Sequence, residues 1–155
     1  MKILDTNLWV FGTLGTNERA VEVLDAIEHG EMIAAINAYI VQEALAAFDN
    51  LRSLSPAERD DVKTLFLTRL SRMTGLIEAP SSRDVAGSLL DERRSATHIR
   101  LLARVLDIQP KDIPIVVRAF DHSDRDPTIL TNDAAFAALD PAAHNLPPIS
   151  IEPVE

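Results

Sequence analysis

Apolar positions along this chain follow two rhythms. Short continuous runs occur at KIL (2–4), MIAAI (32–36), LIEA (76–79), TILT (128–131) and ISIEPV (149–154). These have the length of strands; the first two read as buried, and the last, after a double proline, as an edge strand. Between them, apolar residues recur every three or four positions. Ala20, Val23, Leu24 and Ile27 mark a helix in ERAVEVLDAIEHG, started by Thr16 or Asn17 and stopped by Gly30. Ile40, Ala44, Ala47 and Phe48 mark another in AYIVQEALAAFDNL, capped by Asn37. Ser55-Pro56 opens a third, PAERDDVKTLFLTRLSRM, with proline in the first helical position, and Gly75 closes it. The stretch RDVAGSLLDERRSATHIRLLARVL predicts two helices, because Gly87 and the polar ERRSAT interrupt it. Pro110 starts a helix through KDIPIVVRAFDH, where Pro114 lies early enough to be tolerated, and Asn132 or Asp133 caps AAFAALD.

Strands alternating with helices imply βαβ units, so the fold class is α/β with a mostly parallel sheet covered by helices on both faces. No repeat, low-complexity tract or linker divides the 155 residues, which fit one domain, 1–155. A chain of that length buries roughly 68–70% of its unfolded surface and needs no staples. Cysteine is absent, which excludes disulfides and thiolate metal sites and fits a reducing, cytoplasmic setting. No signal peptide is expected at the N-terminus, and no apolar run approaches the roughly 20 residues of a membrane span.

Net charge is −9, which at first argues against a nucleic-acid partner, but the charge is unevenly spread. Residues 52–104 hold ten of the fifteen Lys and Arg against seven acids, a net of +3 beside −12 elsewhere. A basic surface beside an acidic centre suits an enzyme that grips phosphates with one and holds cations with the other. A solvated pair of helices would carry the same charges.

The acids repay attention singly. Asp5 ends the first strand, Glu43 lies about two turns into the helix after the second, Asp112 is in the first turn after Pro110, and Asp133 follows TILT by two residues. In open α/β sheets, ligands bind outside the carboxyl ends of the strands. Four carboxylates gathered there would supply hard oxygen ligands for Mg²⁺ or Mn²⁺ rather than zinc. Each acid also has a plainer reading: strand-end cap, surface acid, helix-dipole partner or N-cap. The four histidines, His29, His98, His122 and His144, lack metal-ligand spacing and read as surface residues. Asp121, Asp124 and Asp126 in DHSDRD read as turn chemistry, with Asp126 a rival for the site, and Arg118 as the partner of a surface acid.

The segments LDTNLW, INAYIVQEAL, KDIPIVVRA and ILTNDAAF resemble, in order and spacing, the PIN domain, and most closely the VapC-type toxin ribonucleases. The resemblance runs from residue 1 to about 152. It implies a three-layer α/β/α sandwich and an Mg²⁺- or Mn²⁺-dependent endoribonuclease that hydrolyses RNA phosphodiesters as the toxin of a toxin–antitoxin pair. Carried over by position, Asp5, Glu43, Asp112 and Asp133 are the metal-binding and catalytic acids, and Asn7 and Thr131 order the site. The helices at about 52–107 become a clip that forms a homodimer and flanks the RNA groove, with Arg93, Arg94 and Arg100 as RNA-binding residues. An antitoxin protein is then a partner, able to place an Arg or Lys in the negative site.

Two phosphoryl-transfer alternatives fail on single residues. A haloacid-dehalogenase-like phosphatase needs a second Asp two positions after the first, where this chain has Asn7. A phospho-receiver needs a Lys after a late strand, and none of Lys2, Lys63 and Lys111 follows one. The alternative from another class is a non-catalytic PIN-fold module that binds RNA or a protein partner.

Overall fold

In a computed structural model describing residues 1–80, 82–86 and 96–154, five strands form one parallel sheet. The strands are β1 (Lys2–Leu4), β2 (Ala34–Ala35), β3 (Leu76–Glu78), β4 (Thr128–Thr131) and β5 (Ser150–Pro153). Their order is β3-β2-β1-β4-β5, with Ile3 level with Ala35 on one side and Ile129 on the other. The chain therefore builds outward from β1 through β2 to β3, then crosses back to add β4 and β5. The order reverses between β1 and β4, and that is where an open α/β sheet leaves a crevice at its carboxyl edge. Every expected strand is present, although MIAAI contributes only two residues to its ladder.

The helices are α1 (Thr6–Leu14), α2 (Glu18–Glu28), α3 (Ala38–Asp49), α4 (Pro56–Arg72), α5 (Ser82–Ala86), α6 (Thr97–Leu106), α7 (Ile113–Asp121) and α8 (Ala134–Ala137). Their starts follow local chemistry. The Asn17 side chain accepts from the Ala20 amide at 2.8 Å, and that of Asn37 from Ile40 at 2.9 Å. At α4 the Ser55 hydroxyl and the Glu58 carboxylate each accept from the other's main-chain amide, a complete capping box with proline following the cap.

Two helices differ from expectation. α1 is absent from the periodicity reading because it has no polar stripe: Thr6, Leu8, Trp9, Val10, Gly12 and Thr13 are all buried. Only Asn7, Phe11 and Leu14 are half-buried, two of them apolar, and a helix so nearly enclosed gives little amphipathic signal. It ends at Gly15, whose left-handed φ of 69° returns the chain and whose amide bonds to the Phe11 carbonyl. α7 begins at Ile113, three residues after Pro110, because residues 109–112 close a separate turn with the Asp112 amide on the Gln109 carbonyl at 3.0 Å.

The core lies on both faces of β1. On one side Trp9, Phe48 and Phe66 meet edge to face, with ring centroids 6.3 Å apart for Trp9–Phe66 and 5.6 Å for Phe48–Phe66. Phe66 is the single buried residue of α4 and packs it against α1 and α3, with half-buried Val62 and Leu70 also against the core. α1 approaches α2 closely at Gly12, where a Cβ would stand 2.6 Å from Leu24 Cδ1 and 2.8 Å from the Ala20 carbonyl. Among the described residues no helix is long and apolar enough to cross a membrane.

Candidate active site

Asp5 stands immediately after β1, where its amide continues the sheet by donating to the Leu130 carbonyl at 2.8 Å. Its carboxylate is buried and accepts from the Thr131 hydroxyl at 2.8 Å. Thr131 ends β4, fully buried, and its Oγ1 also accepts the Asp133 amide at 3.0 Å. One hydroxyl thus links the carboxyl ends of β1 and β4 across the crevice. Asp133 spends Oδ1 on capping α8, accepting from Ala135 at 2.9 Å and Phe136 at 3.2 Å. Its N-cap reading therefore holds for one oxygen and leaves the other facing the crevice rim.

α3 brings the other two acids. Tyr39 and Glu43 are one turn apart on the same face of α3. The Tyr39 hydroxyl donates to the Lys111 carbonyl at 2.9 Å, which ties the turn carrying Asp112 to α3. Glu43 is buried and accepts from the Thr6 hydroxyl in the first turn of α1. Asp112 is 3% exposed and stands at the N-cap position of α7, yet its side chain caps nothing. Its carboxylate makes no capping bond to its own helix, so capping does not account for its burial.

These four carboxylates feel one another. Burial pushes the Asp5 carboxyl above its ordinary value. The Thr131 hydroxyl, the Lys111 charge and the Asn7 main-chain amide pull it partly back, while the Glu43 charge adds to the rise. Asp112 is pushed up to about 7, first by burial, then by the charge of Asp5, with Asp133 and Glu43 adding and Lys111 opposing. Burial and like-charge repulsion are the two forces that keep a carboxyl protonated. A divalent cation would reverse both.

The donor set fits a hard divalent ion in its chemistry, four carboxylate-bearing residues with no sulfur or imidazole among them. The distances are not those of a ready-made site: among the described residues no three His, Asp or Glu side chains are already gathered as a metal centre. The acids share a rim and an electrostatic field, and they would have to draw in to ligate.

Other predicted residues are placed as follows. Asn7 is half-buried and reaches the site through its main-chain amide. Arg93 and Arg94 lie outside the described residues. Arg100 is exposed on α6. Asp126 precedes β4 and so lies at the opposite edge of the sheet, exposed with Asp121 and Asp124. Arg118 pairs with Glu78. His122, expected on the surface, is buried, with Nε2 3.3 Å from Glu78. The basic segment is partly spent within the molecule: Lys63 pairs with Asp49 and Asp60, Arg69 with Asp25 and Glu28, and Arg59 donates to the Asp49, Leu51 and Leu54 carbonyls.

Sequence reasoning gave Lys111 no role in the site and did not connect Thr6 with Glu43. Thr6 directly follows the first acid, and a hydroxyl beside a strand-end carboxylate is the signal that was there to be read. Lys111 adjoins Asp112, and its charge acts on both Asp5 and Asp112.

No protein-family model matches the sequence, and no curated protein matches it either. Among solved structures, the fold is similar to that of a chain from VapBC2 of Rickettsia felis, determined bound to a DNA fragment from its promoter. The two superpose with a TM-score of 0.59 at 16% identity, over 99% of this chain and 98% of that one. Similarity at that identity establishes the shared α/β fold.

Proposed function

We propose that this chain is a divalent-metal-dependent endoribonuclease acting as the toxin of a toxin–antitoxin pair. One observation carries the reading: two buried carboxyls, Asp5 and Asp112, are held above their ordinary pKa beside two further acids at the sheet's carboxyl edge. Unrelieved carboxylate repulsion costs stability and persists where function needs it. Asp5, Glu43, Asp112 and Asp133 would hold one or two Mg²⁺ or Mn²⁺ ions. When bound, such an ion lowers the pKa of a water and stabilises charge on a phosphodiester.

The chain's own residues prepare that site. Thr131 fixes the orientation of Asp5 by donating to Oδ2, and Thr6 fixes that of Glu43 by donating to Oε2. Asp112, raised by burial and by the other acids' charges, would be held ionised by a cation bound among them. Tyr39 holds the Asp112 turn in place through the Lys111 carbonyl.

The partners follow from the same surfaces. RNA is the substrate, and Arg93, Arg94 and Arg100 are proposed to contact its backbone. An antitoxin would insert a basic side chain among the acids in place of the metal. Leu101, Leu102 and Val105 project from α6 at 56%, 37% and 61% exposure, and we assign that apolar face of the middle helices to a homodimer. The setting is cytoplasmic, in keeping with a chain lacking cysteine.

A second reading, a non-catalytic module that binds RNA or a protein partner, is favoured by the absence, among the described residues, of a gathered three-acid cluster. Cleavage of RNA with Mg²⁺ or Mn²⁺, comparing the wild type with Asp5→Asn and with EDTA, decides between them. Loss of activity in both controls is expected. Equal cleavage by the variant, or cleavage that survives EDTA, would sink the metal mechanism; binding with no cleavage at all would favour the second reading.

A further inference from the structure

A recess of about 260 Å³ opens off the acid cluster, lined by Asp107, Gln109, Asp112, Asp133, Ala135 and Phe136 among others. Asp112 and Asp133 also belong to the proposed site, so the recess adjoins the place where a phosphodiester would sit. We propose that this recess seats a nucleobase flanking the scissile phosphate, guanine in preference to the other three; the proposal rests on the ribonuclease reading above.

The lining sets the chemistry of the occupant. Ile108, Ala135 and Phe136 offer an apolar wall, while the Asp107 carboxylate, outside the proposed metal set, offers only acceptors when ionised. Such a recess repels phosphate and attracts a flat group bearing N–H donors. In RNA those donors are on the bases, and single-stranded bases are read on their Watson–Crick edges. Guanine presents two adjacent donors there, N1–H and N2–H, which one carboxylate accepts together. Adenine and cytosine present only an amino group, and uracil a single N–H.

Two features show polar groups held ready in the recess. Asp112 is 97% removed from solvent, lines the recess, and makes no side-chain hydrogen bond among the described residues. Asp107 closes α6 in the left-handed conformation, φ 55°, with its amide on the Ala103 carbonyl. The chain then turns back through Gln109 to Asp112, and exposed Asp107 lines the recess. Gln109, exposed beside it, can donate its amide to guanine O6.

The test combines binding and cleavage. Guanosine, adenosine, cytidine and uridine 5′-monophosphates are titrated with Mg²⁺ into the intact protein while backbone amide shifts are followed. Guanosine monophosphate should shift Asp107, Gln109, Ala135 and Phe136. Asp107→Asn keeps a side chain that tolerates the left-handed turn and removes the acceptor pair. It should weaken guanosine monophosphate by about tenfold while leaving uridine monophosphate unchanged. Ala135→Leu, which fills the recess, should abolish the shifts for all four. In parallel, oligoribonucleotides differing in one base at the cleaved bond should show a guanine preference that Asp107→Asn flattens. Shifts elsewhere, equal affinity for the four bases, or indifference to Ala135→Leu overturns the recess even if RNA is cleaved. Seating of guanosine monophosphate with no RNA cleavage by the wild type keeps the recess and overturns the ribonuclease reading.

Discussion

Replacing Asp112 by asparagine should make the metal-free protein more stable at neutral pH. The Asp112 carboxyl is pushed up from 3.8 to about 7. A raised acid favours its protonated form in the folded state, so the folded protein holds a proton that the unfolded chain gives up. The penalty is absent below pH 3.8, grows between 3.8 and about 7, and is complete above that. At about 1.4 kcal/mol per decade the ceiling is roughly 4 kcal/mol. The carboxylate faces a recess open to water, and solvent screening reduces this to roughly 1–2 kcal/mol. Asparagine keeps the shape, and no capping bond is lost because the aspartate makes none. In EDTA at pH 8 the variant should melt higher by about 2–8 °C, a difference that vanishes at pH 4. Saturating Mg²⁺ should reverse the order, since a ligand at one hundred times its Kd adds about 2.7 kcal/mol to the wild type and little to a chain missing one carboxylate. Thermal melts of both proteins across pH, with and without metal, provide the measurement. A variant less stable than the wild type in EDTA at pH 8, or a difference independent of pH, would refute the electrostatic account.

Thr131→Val should strand the Asp5 carboxylate and the Asp133 amide together, costing about 1–3 kcal/mol in denaturant unfolding and raising the pH at which metal binds, while Thr131→Ser should restore both. An unchanged pH dependence in the valine variant would remove Thr131 from the site. Phe66→Ala should cost about 3–5 kcal/mol, because it deletes the only buried side chain of α4 and both ring contacts, and should raise proteolysis of α4 before that of the sheet. Uniform proteolysis would instead show α4 to be held by its ion pairs.

The sheet was legible because parallel strands buried on both faces appear as uninterrupted apolar runs, as in TILT and KIL. Helices with a solvent side were legible by the same contrast, α2 and α3 together with their asparagine caps. α1 was not, because even its half-buried stripe is mostly apolar, Phe11 and Leu14, and leaves little contrast to read. His122 was misread for a related reason: it follows Ile115 and Ala119 on the inner face of α7, a helical spacing that the polar character of histidine concealed. The basic middle segment was visible as composition, but the residues that neutralise Arg69 lie some forty positions away in α2, beyond any local pattern. Asp5 and Asp133 could be placed at a rim because one directly follows a strand and the other follows within two residues. Nothing local showed that Asp112 leaves its helix uncapped, and that property distinguishes it from an ordinary first-turn acid.

The buried helix that sequence patterning missed is also what makes the acid cluster tenable. α1 begins directly after Asp5, so its first turn faces the crevice with its unpaired amides and partial positive charge. Its Asn7 main-chain amide pulls the Asp5 carboxyl partly back toward its ordinary value, and its Thr6 hydroxyl bonds Glu43. Those donors serve the rim together, the amide opposing the burial that raises Asp5. They can do so only if the helix axis is rigid, and Trp9, packed against Phe66 with Leu8 beside it in the core, fixes that axis. A solvent-facing α1 could rotate and lose both contacts. The weak amphipathic stripe and the acid rim are therefore one design: burial of most of its surface lets nine residues present an amide and a hydroxyl to two acids 38 positions apart.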